Sequence, residues 1–300
     1  MRSLFVTGAS GFVGRHVLAR LAGTSYGRVV CLSRWVLPAP ASGGPLWARG
    51  DLRDPASYAA QLEAGADILH LAAATGTAAA DAQAAVNVGG TAGLLGACAR
   101  AGVRRFVHVS SIAARFPDDP EYPYARAKRE AEAVVRGAGV PYVIVRPTIV
   151  IGPNGPIWRR LRGLATGPVA VVIGSGRTRI QPIFAGDLAG LLLELLKRED
   201  AGGRTLELGG PEVVTVEAFL RRIRELLRGR SGPLVRVPLG PLRAAAFAAA
   251  RLLGPATPVS PGQLASFAHD GVAEPNAVWE EWRGAMLGVD AMIRAAADRG

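Results

Sequence analysis

A tyrosine and a lysine four residues apart are the side chains of this chain best suited to proton transfer. Tyr124 and Lys128 enclose the segment Tyr-Ala-Arg-Ala-Lys, and residues at this spacing share one face of a helix. The chain holds five tyrosines, and its only lysines are Lys128 and Lys197, so a chance pairing is rare. A nearby ammonium favours the phenolate and so lowers the pKa of a phenol. The pair predicts a tyrosine that donates or accepts a proton near neutral pH.

A serine follows the apolar run that precedes this helix. Ser111 ends the stretch Val107-His108-Val109-Ser110-Ser111, at the carboxyl edge where parallel sheets bind their ligands. We expect its hydroxyl to hold a substrate oxygen beside Tyr124, although a cap or turn role is the alternative for a serine at a strand end.

A glycine-rich turn joins the first apolar run to the first helical segment. Three glycines at this spacing between a strand and a helix are typical of dinucleotide binding: one for the tight turn, one for close approach of a pyrophosphate, and one for helix packing. The helix N-terminus adds free N–H groups and a favourable dipole for the anion. The predicted cofactor contacts here are Thr7, Gly8, Ser10, Gly11, Phe12, Val13 and Gly14.

The residues at the end of the second strand indicate whether the protein prefers NAD(H) or NADP(H). An acidic residue there would bind the ribose 2′-hydroxyl of NAD and repel a 2′-phosphate. This chain has Ser33 and Arg34 instead, with no carboxylate before Asp51. Because a hydroxyl and a planar guanidinium both bind phosphate, NADP(H) is the preferred cofactor and NAD(H) the alternative.

The elements that must position these residues alternate between strands and helices. Apolar runs at Ser3–Thr7, Arg28–Ser33, Leu46–Gly50, Asp67–Leu71, Arg105–Ser110 and Tyr142–Arg146 are separated by helical patterns at 12–21, 55–63, 81–101 and 122–136. Such alternation predicts an α/β fold with a doubly wound parallel sheet of the Rossmann type.

The pattern changes after the turn cluster at 152–155. The following elements are shorter: possible strands at 169–173, 179–183 and 205–208, a helix at 188–197, and a helix capped by Thr215 that reaches Arg228. We therefore predict a dinucleotide-binding domain over 1–151 and a smaller substrate lobe over 152–300. Segments within about 179–208 are expected to return to the Rossmann core.

Composition restricts the partners. A hydrophobic fraction of 49% and a mean hydropathy of +0.22 exclude a disordered chain. The net charge of +11 comes almost entirely from arginines, which we interpret as a compositional bias rather than the mark of an anionic partner. No nucleic-acid motif accompanies it, so nucleic acid is excluded.

Cysteine and hydrophobic patterning indicate a cytoplasmic protein. Cys31 and Cys98 are far apart and cannot form a disulfide framework, which favours a reducing compartment. No signal peptide fits the N-terminus. The apolar segment from Pro241 to Gly254 is too short to span a bilayer and contains two arginines; a core helix is preferred to a membrane-surface role.

The four histidines show no metal-ligand spacing, so we predict no metal site. His16 falls in the first helix, His70 and His108 lie on strands, and His269 is distant in sequence. Core or surface roles are expected for all of them.

With these motifs the chain resembles the extended and atypical short-chain dehydrogenase/reductases, the NAD-dependent epimerase/dehydratase superfamily. The resemblance extends to the stretches at 50–52, 70–73, 87–91 and 146–148. It implies that Tyr124 is the catalytic acid/base, Lys128 its partner and a ribose ligand, and Ser111 the hydroxyl that orients the carbonyl. It further implies cofactor contacts from Asp51 and Leu52 near the adenine, from Leu71, Ala72 and Ala73 along the cleft, and from Pro147 and Thr148 beside the nicotinamide.

Within the superfamily, the segments at 146–153, 174–187 and 258–269 resemble the group containing the Rossmann-type accessory subunit of respiratory complex I and its bacterial relatives. Ser111 and Tyr124 are closer together in sequence than is usual in sugar-nucleotide epimerases, which argues against a sugar-nucleotide substrate. Ile112-Ala113-Ala114 follows Ser111 where a dehydratase would have an Asp-Glu pair.

The expected function is therefore an NADPH-dependent oxidoreductase that reduces a carbonyl of a fairly apolar small molecule, acting as a monomer or homodimer. One alternative is an epimerase that uses the same tyrosine and lysine and recycles its cofactor. The other is a non-catalytic NADPH-binding protein of the quinone-pathway or assembly type.

Overall fold

Alternating strands and helices in the first half of the chain supply six of the seven strands of the main sheet. A computed structural model describes residues 2–35, 44–75, 78–253, 264 and 266–298. The strands are β1 (Arg2–Thr7), β2 (Tyr26–Ser33), β3 (Leu46–Arg49), β4 (Asp67–His70), β5 (Arg105–Val109), β6 (Tyr142–Pro147), β7 (Val150–Ile151), β8 (Ala170–Ile173), β9 (Arg179–Ile180), β10 (Ile183–Phe184), β11 (Thr205–Leu208), β12 (Val214–Thr215) and β13 (Leu234–Val237).

Helices connect these strands. They are α1 (Phe12–Leu18), α2 (Ala80–Gln83), α3 (Thr91–Ala101), α4 (Pro123–Gly137), α5 (Pro156–Thr166), α6 (Ala185–Leu195), α7 (Val216–Arg228), α8 (Leu239–Leu253), α9 (Ala277–Arg283) and α10 (Val289–Ala297).

The main sheet has seven strands in the order β11-β6-β5-β4-β1-β2-β3. Every pairing from β6 to β3 is parallel, which confirms the predicted doubly wound sheet. Central strands such as β4 are buried along their whole length, as expected for strands covered on both faces. The strand order reverses between β1 and β4, and this switch point is where such sheets bind dinucleotides.

Two of the predicted helices are not regular α-helices. The segment predicted at 81–101 consists of α2, a π-helical turn over Ala84–Gly90, and α3. The segment predicted at 55–63 forms two short 3-10 turns, Pro55–Ser57 and Ala59–Gln61, because Tyr58 between them has φ −137° and interrupts the helical path. The predicted strand at 179–183 is divided into β9 and β10 by Gln181 and Pro182, and proline has no N–H for a ladder.

The chain divides into two compact units. Unit 1 comprises Met1–Ala114, Tyr124–Arg146 and Leu188–Leu206, and unit 2 comprises Arg115–Pro123, Pro147–Asp187 and Glu207–Gly300. Unit 1 packs Phe5, Ile68, Phe106 and Ile144 of the sheet against Leu94 of α3. The carboxyl ends of its strands are thereby held on a close-packed core.

Unit 2 has its own apolar core. Trp158 of α5, Phe219 of α7 and Met292 of α10 are fully buried there. Thr215 caps α7 by accepting a hydrogen bond from the Ala218 N–H, which confirms the predicted start of that helix. None of the helices within the described residues is long and apolar enough to cross a membrane. Gly254 and most of the 258–269 segment lie outside the described residues.

Candidate functional site

The glycine turn after β1 brings backbone segments closer together than side chains would allow. Gly8 has φ +72°, and a Cβ built on it would lie 2.6 Å from the backbone nitrogen of Ala72. A Cβ on Gly14 would lie 2.3 Å from the Gly8 carbonyl oxygen. Gly11 is exposed and precedes α1, leaving backbone open on its outer side. The turn has the shape of a pyrophosphate cradle, and its residues fit a dinucleotide.

A buried histidine joins this turn to the neighbouring strand. Thr7 Oγ1 lies 2.6 Å from His70 Nδ1 and accepts a hydrogen bond from the Ala72 N–H at 3.2 Å. His70 Nε2 lies 2.9 Å from Thr91 Oγ1, whose hydroxyl donates to the Asn87 carbonyl. Burial, with a smaller contribution from Lys128, lowers the pKa of His70 to about 3. The ring is therefore neutral, with Nε2–H donating to Thr91 and Nδ1 accepting from Thr7.

Asn87 fixes the segment that follows β4. Its side chain accepts a hydrogen bond from the Ala74 N–H at 2.7 Å and donates one to the Ala74 carbonyl at 3.0 Å. The π-helical turn over Ala84–Gly90 places Asn87 at this position, in keeping with the frequency of π-helical turns at functional sites. Leu71, Ala72 and Ala73, which the family resemblance places along the cofactor cleft, are half-buried beside it.

The predicted catalytic residues all lie in unit 1, where Ser111 and Lys128 both lie beside Tyr124. The Ser111 hydroxyl is near enough to the Tyr124 phenol to favour its ionised form, and it accepts a hydrogen bond from the Ala113 N–H at 3.2 Å. Lys128 is buried, and its Nζ lies 6.0 Å from the centre of the Tyr124 ring. The Nζ donates a hydrogen bond to the Val109 carbonyl at 2.9 Å. The catalytic roles of Ser111, Tyr124 and Lys128 stay predictions.

Burial changes the pKa values of both Tyr124 and Lys128. It raises the pKa of Tyr124 above its ordinary value, and the Ser111 side chain only partly offsets this. The lowering of the phenol pKa that was expected from Lys128 is not found, because desolvation by burial dominates. Burial also lowers the pKa of Lys128 to about 8, against the opposing charge of Glu132.

The end of β2 presents a buried hydroxyl and an exposed guanidinium. Ser33 is buried, and its Oγ accepts a hydrogen bond from the Trp35 N–H at 3.2 Å, while the Arg34 side chain is exposed. The nearby Asp51 carboxylate is held by Arg53 through Nε at 3.0 Å and Nη2 at 2.6 Å. These hydrogen bonds and the charge of Arg34 hold the pKa of Asp51 at about 2.

Three residues that the family resemblance assigns to the cofactor make contacts with other parts of the protein: Leu52, Pro147 and Thr148. Leu52 is buried in the core of unit 1, where its carbonyl accepts from the Tyr58 hydroxyl. Pro147 and Thr148 belong to unit 2, and the Thr148 N–H donates to the Leu208 carbonyl at 3.0 Å. Their contacts with a cofactor stay predictions.

Two features of the site were not predicted from the sequence. The polar chain through His70, Thr91 and Asn87 joins residues that are distant in sequence. Glu132 accepts hydrogen bonds from Ser110 and Arg146. The sequence did contain one indication that Glu132 belongs to the site. It falls four residues after Lys128 and therefore shares the helix face of Tyr124 and Lys128.

His108 lies beside Lys128 and His70 in the core. Its ring centroid is 5.3 Å from that of His70, and burial lowers its pKa well below the ordinary value. Neither of its ring nitrogens has a hydrogen-bond partner in the part of the chain that the structure describes. Among the described residues, no group of three or more His, Cys, Asp or Glu side chains is arranged to hold a metal ion.

A parallel sheet in the Rossmann order, a glycine turn at its switch point, and a serine, tyrosine and lysine after β5 form an arrangement typical of the short-chain dehydrogenase/reductases. The model of the NAD dependent epimerase/dehydratase family matches residues 4–209. The chain belongs to this family, and the resemblance seen in its motifs is confirmed.

Known relatives include reductases and a respiratory-complex subunit. The ceramide reductase of Caulobacter vibrioides is 31% identical over 232 residues, which cover 75% of this chain and 68% of the relative. The mitochondrial NADH dehydrogenase [ubiquinone] 1 alpha subcomplex subunit 9 of Arabidopsis thaliana is 30% identical over 131 residues, covering 42% of this chain and 32% of that subunit. A solved short-chain dehydrogenase/reductase superfamily protein from Agrobacterium tumefaciens with bound NAD has a TM-score of 0.65 and 25% identity, covering 79% of this chain and 85% of that one.

Proposed function

We propose that this protein is an NADPH-dependent reductase that converts a carbonyl of an apolar small molecule to an alcohol. The observation that carries the proposal is the placement of the Ser111 hydroxyl and the buried ammonium of Lys128 beside Tyr124. A protein that binds a nucleotide only for structural reasons does not need a serine, a tyrosine and a lysine placed together in this way. The similarity to a ceramide reductase supports an apolar substrate.

Each of the three side chains has a role in this reaction. A bound nicotinamide cofactor supplies the hydride that adds to the carbonyl carbon. Tyr124 donates its proton to the carbonyl oxygen and is left as a phenolate, which solvent reprotonates. Ser111, held beside the phenol, orients that oxygen. The positive charge of Lys128 stabilises the phenolate, and burial strengthens this interaction.

The charges at the end of β2 support NADPH as the cofactor. Arg34 is exposed there and presents a guanidinium that can pair with a 2′-phosphate. The nearest carboxylate along the chain, Asp51, is already neutralised by Arg53 through paired hydrogen bonds. A phosphate at this position would therefore meet a net positive field.

The test is NADPH oxidation, followed by its absorbance, with a panel of aliphatic ketones, ketone-bearing lipids and quinones. Conversion of NADPH and carbonyl in equal amounts, with the alcohol identified as product, supports the reductase. Inversion of a secondary alcohol in any of these compounds, without net NADPH consumption, would identify an epimerase. Binding of NADPH with no turnover of any carbonyl would identify the non-catalytic alternative.

A further inference from the structure

A buried carboxylate lies one helical turn beyond Lys128. Glu132 of α4 has no exposed surface. It accepts hydrogen bonds from Ser110 Oγ at 2.7 Å, from Arg146 at 2.8 and 2.7 Å, and from Arg136 at 2.8 Å. Burial opposes its ionisation, but the hydrogen bonds from Arg146 and Ser110 outweigh this, so its pKa lies below the ordinary value. Glu132 is therefore a carboxylate at neutral pH.

The partners of Glu132 come from the elements that carry the site. Ser110 follows β5 and directly precedes Ser111, Arg146 lies near the end of β6, and α4 itself carries Tyr124 and Lys128. We propose that Glu132 is a positioning residue whose carboxylate, by holding Ser110 and Arg146 against α4, fixes Ser111 beside Tyr124. Buried ion pairs of this kind seldom add stability over apolar packing, which favours a role in geometry.

The same carboxylate stabilises the charge of Lys128. The titratable groups that face Lys128 are Tyr124 and Glu132 from α4, His70 from β4 and His108 from β5. Both histidines are neutral and Tyr124 is a phenol, so Glu132 supplies the negative charge. Arg146 and Arg136 partly balance Glu132 through their ion pairs. Replacing Glu132 with an uncharged isostere should therefore lower the pKa of Lys128 further.

The composition of the chain allows this charge effect to be measured without any enzyme assay. Because Lys128 and Lys197 are the only lysines, ε-¹³C-lysine labelling gives two NMR titrations, with half-exposed Lys197 as internal reference. In Glu132→Gln we expect the pKa of Lys128 to fall by about one unit. Glu130→Gln, an exposed glutamate of the same helix, should leave it unchanged. Identical Lys128 titrations in Glu132→Gln and the wild type would overturn the electrostatic part of the proposal.

The positioning part rests on the proposed reductase activity and is tested by kinetics. Ser110→Ala removes one donor to Glu132 and leaves Ser111 in place; we expect kcat to fall about 10- to 100-fold with KM for NADPH unchanged. Glu132→Asp keeps the charge but is one methylene shorter, so it should lower kcat while keeping the Lys128 titration near that of the wild type. Glu130→Gln, which changes an exposed residue of the same helix, should have little effect.

These outcomes separate the two proposals. Wild-type kcat in both Ser110→Ala and Glu132→Asp would refute the positioning role of Glu132 even if the protein is a reductase. If the wild type reduces no carbonyl, the reductase proposal fails. The position of Ser111 is then read from the NMR signal of ring-labelled Tyr124, which Ser110→Ala should shift and Glu130→Gln should not; an unshifted signal in Ser110→Ala would also refute the role.

Discussion

The Lys128 ammonium donates a hydrogen bond to the Val109 carbonyl, 2.9 Å away at the end of β5. This contact joins the helix that carries Tyr124 to the strand that leads into Ser111. Holding an ammonium at 3% exposure costs free energy, which a single hydrogen bond only partly offsets. A residue retained at such a cost is typical of a functional site, and the position of Lys128 beside Tyr124 shows where its charge acts.

Removing the Tyr124 hydroxyl should stop turnover without releasing the cofactor. Tyr124→Phe keeps the half-buried ring but has no proton to donate, so we expect kcat for carbonyl reduction to fall about 10²- to 10⁴-fold. The Kd for NADPH, measured by its fluorescence, should change little. Tyr122→Phe is the matched control, because Tyr122 stands two residues earlier and outside the proposed site. Equal turnover by Tyr124→Phe and wild type would show that Tyr124 is not the acid.

Lys128 should make stability depend on pH in a definite direction. Its pKa is about 8 in the folded protein and about 10.4 in an unfolded chain. Between these values the unfolded state binds more protons, so the Lys128 contribution to the free energy of unfolding rises with pH. The Lys128→Met variant lacks this pH-dependent contribution. We expect the stability of wild type relative to Lys128→Met, from urea unfolding, to be lowest at pH 7 and to rise toward pH 10.

The exposed lysine provides the control for this titration. Lys197 is half-exposed, and among the described residues its ion pair is with Glu194 across 3.9 Å, so Lys197→Met should follow the wild-type pH profile. Parallel profiles for wild type and Lys128→Met would contradict the depressed pKa of Lys128.

Much of unit 1 could be predicted from the sequence because the patterns that indicate it involve residues close together in the chain. The sheet, the glycine turn and the helical spacing of Tyr124 and Lys128 each follow from residues close in sequence. The π-helical turn could not be predicted in this way, because Asn87 is satisfied by Ala74, outside its own helix. The protonation of Tyr124 depends on burial rather than on its neighbour four residues away. Sequence spacing carries no information on that desolvation.

Cofactor choice should depend on Arg34. Arg34→Ser removes the guanidinium proposed to meet the 2′-phosphate, so we expect the Kd for NADPH to rise about tenfold or more, with little change for NADH. Isothermal titration with both dinucleotides measures the ratio. Arg100→Ser, an exposed arginine in the last turn of α3, controls for the loss of one positive charge. A wild type that binds NADH more tightly than NADPH would refute this role for Arg34.

The third glycine of the turn should tolerate no side chain. A Cβ at Gly14 would lie 2.3 Å from the Gly8 carbonyl and 2.5 Å from the Ala9 carbonyl, both backbone atoms that cannot rotate away. Gly14→Ala must therefore push α1 away from the end of β1 and open the pyrophosphate cradle. We expect the Kd for NADPH to rise at least about 100-fold and the thermal midpoint to fall.

Gly163→Ala is the control, since a Cβ at this exposed position of α5 meets nothing within 4 Å, and alanine is the better helix former by about 1 kcal/mol. That variant should bind NADPH normally and melt at a higher temperature. Normal cofactor binding by Gly14→Ala would mean that the dinucleotide does not approach the chain at this turn.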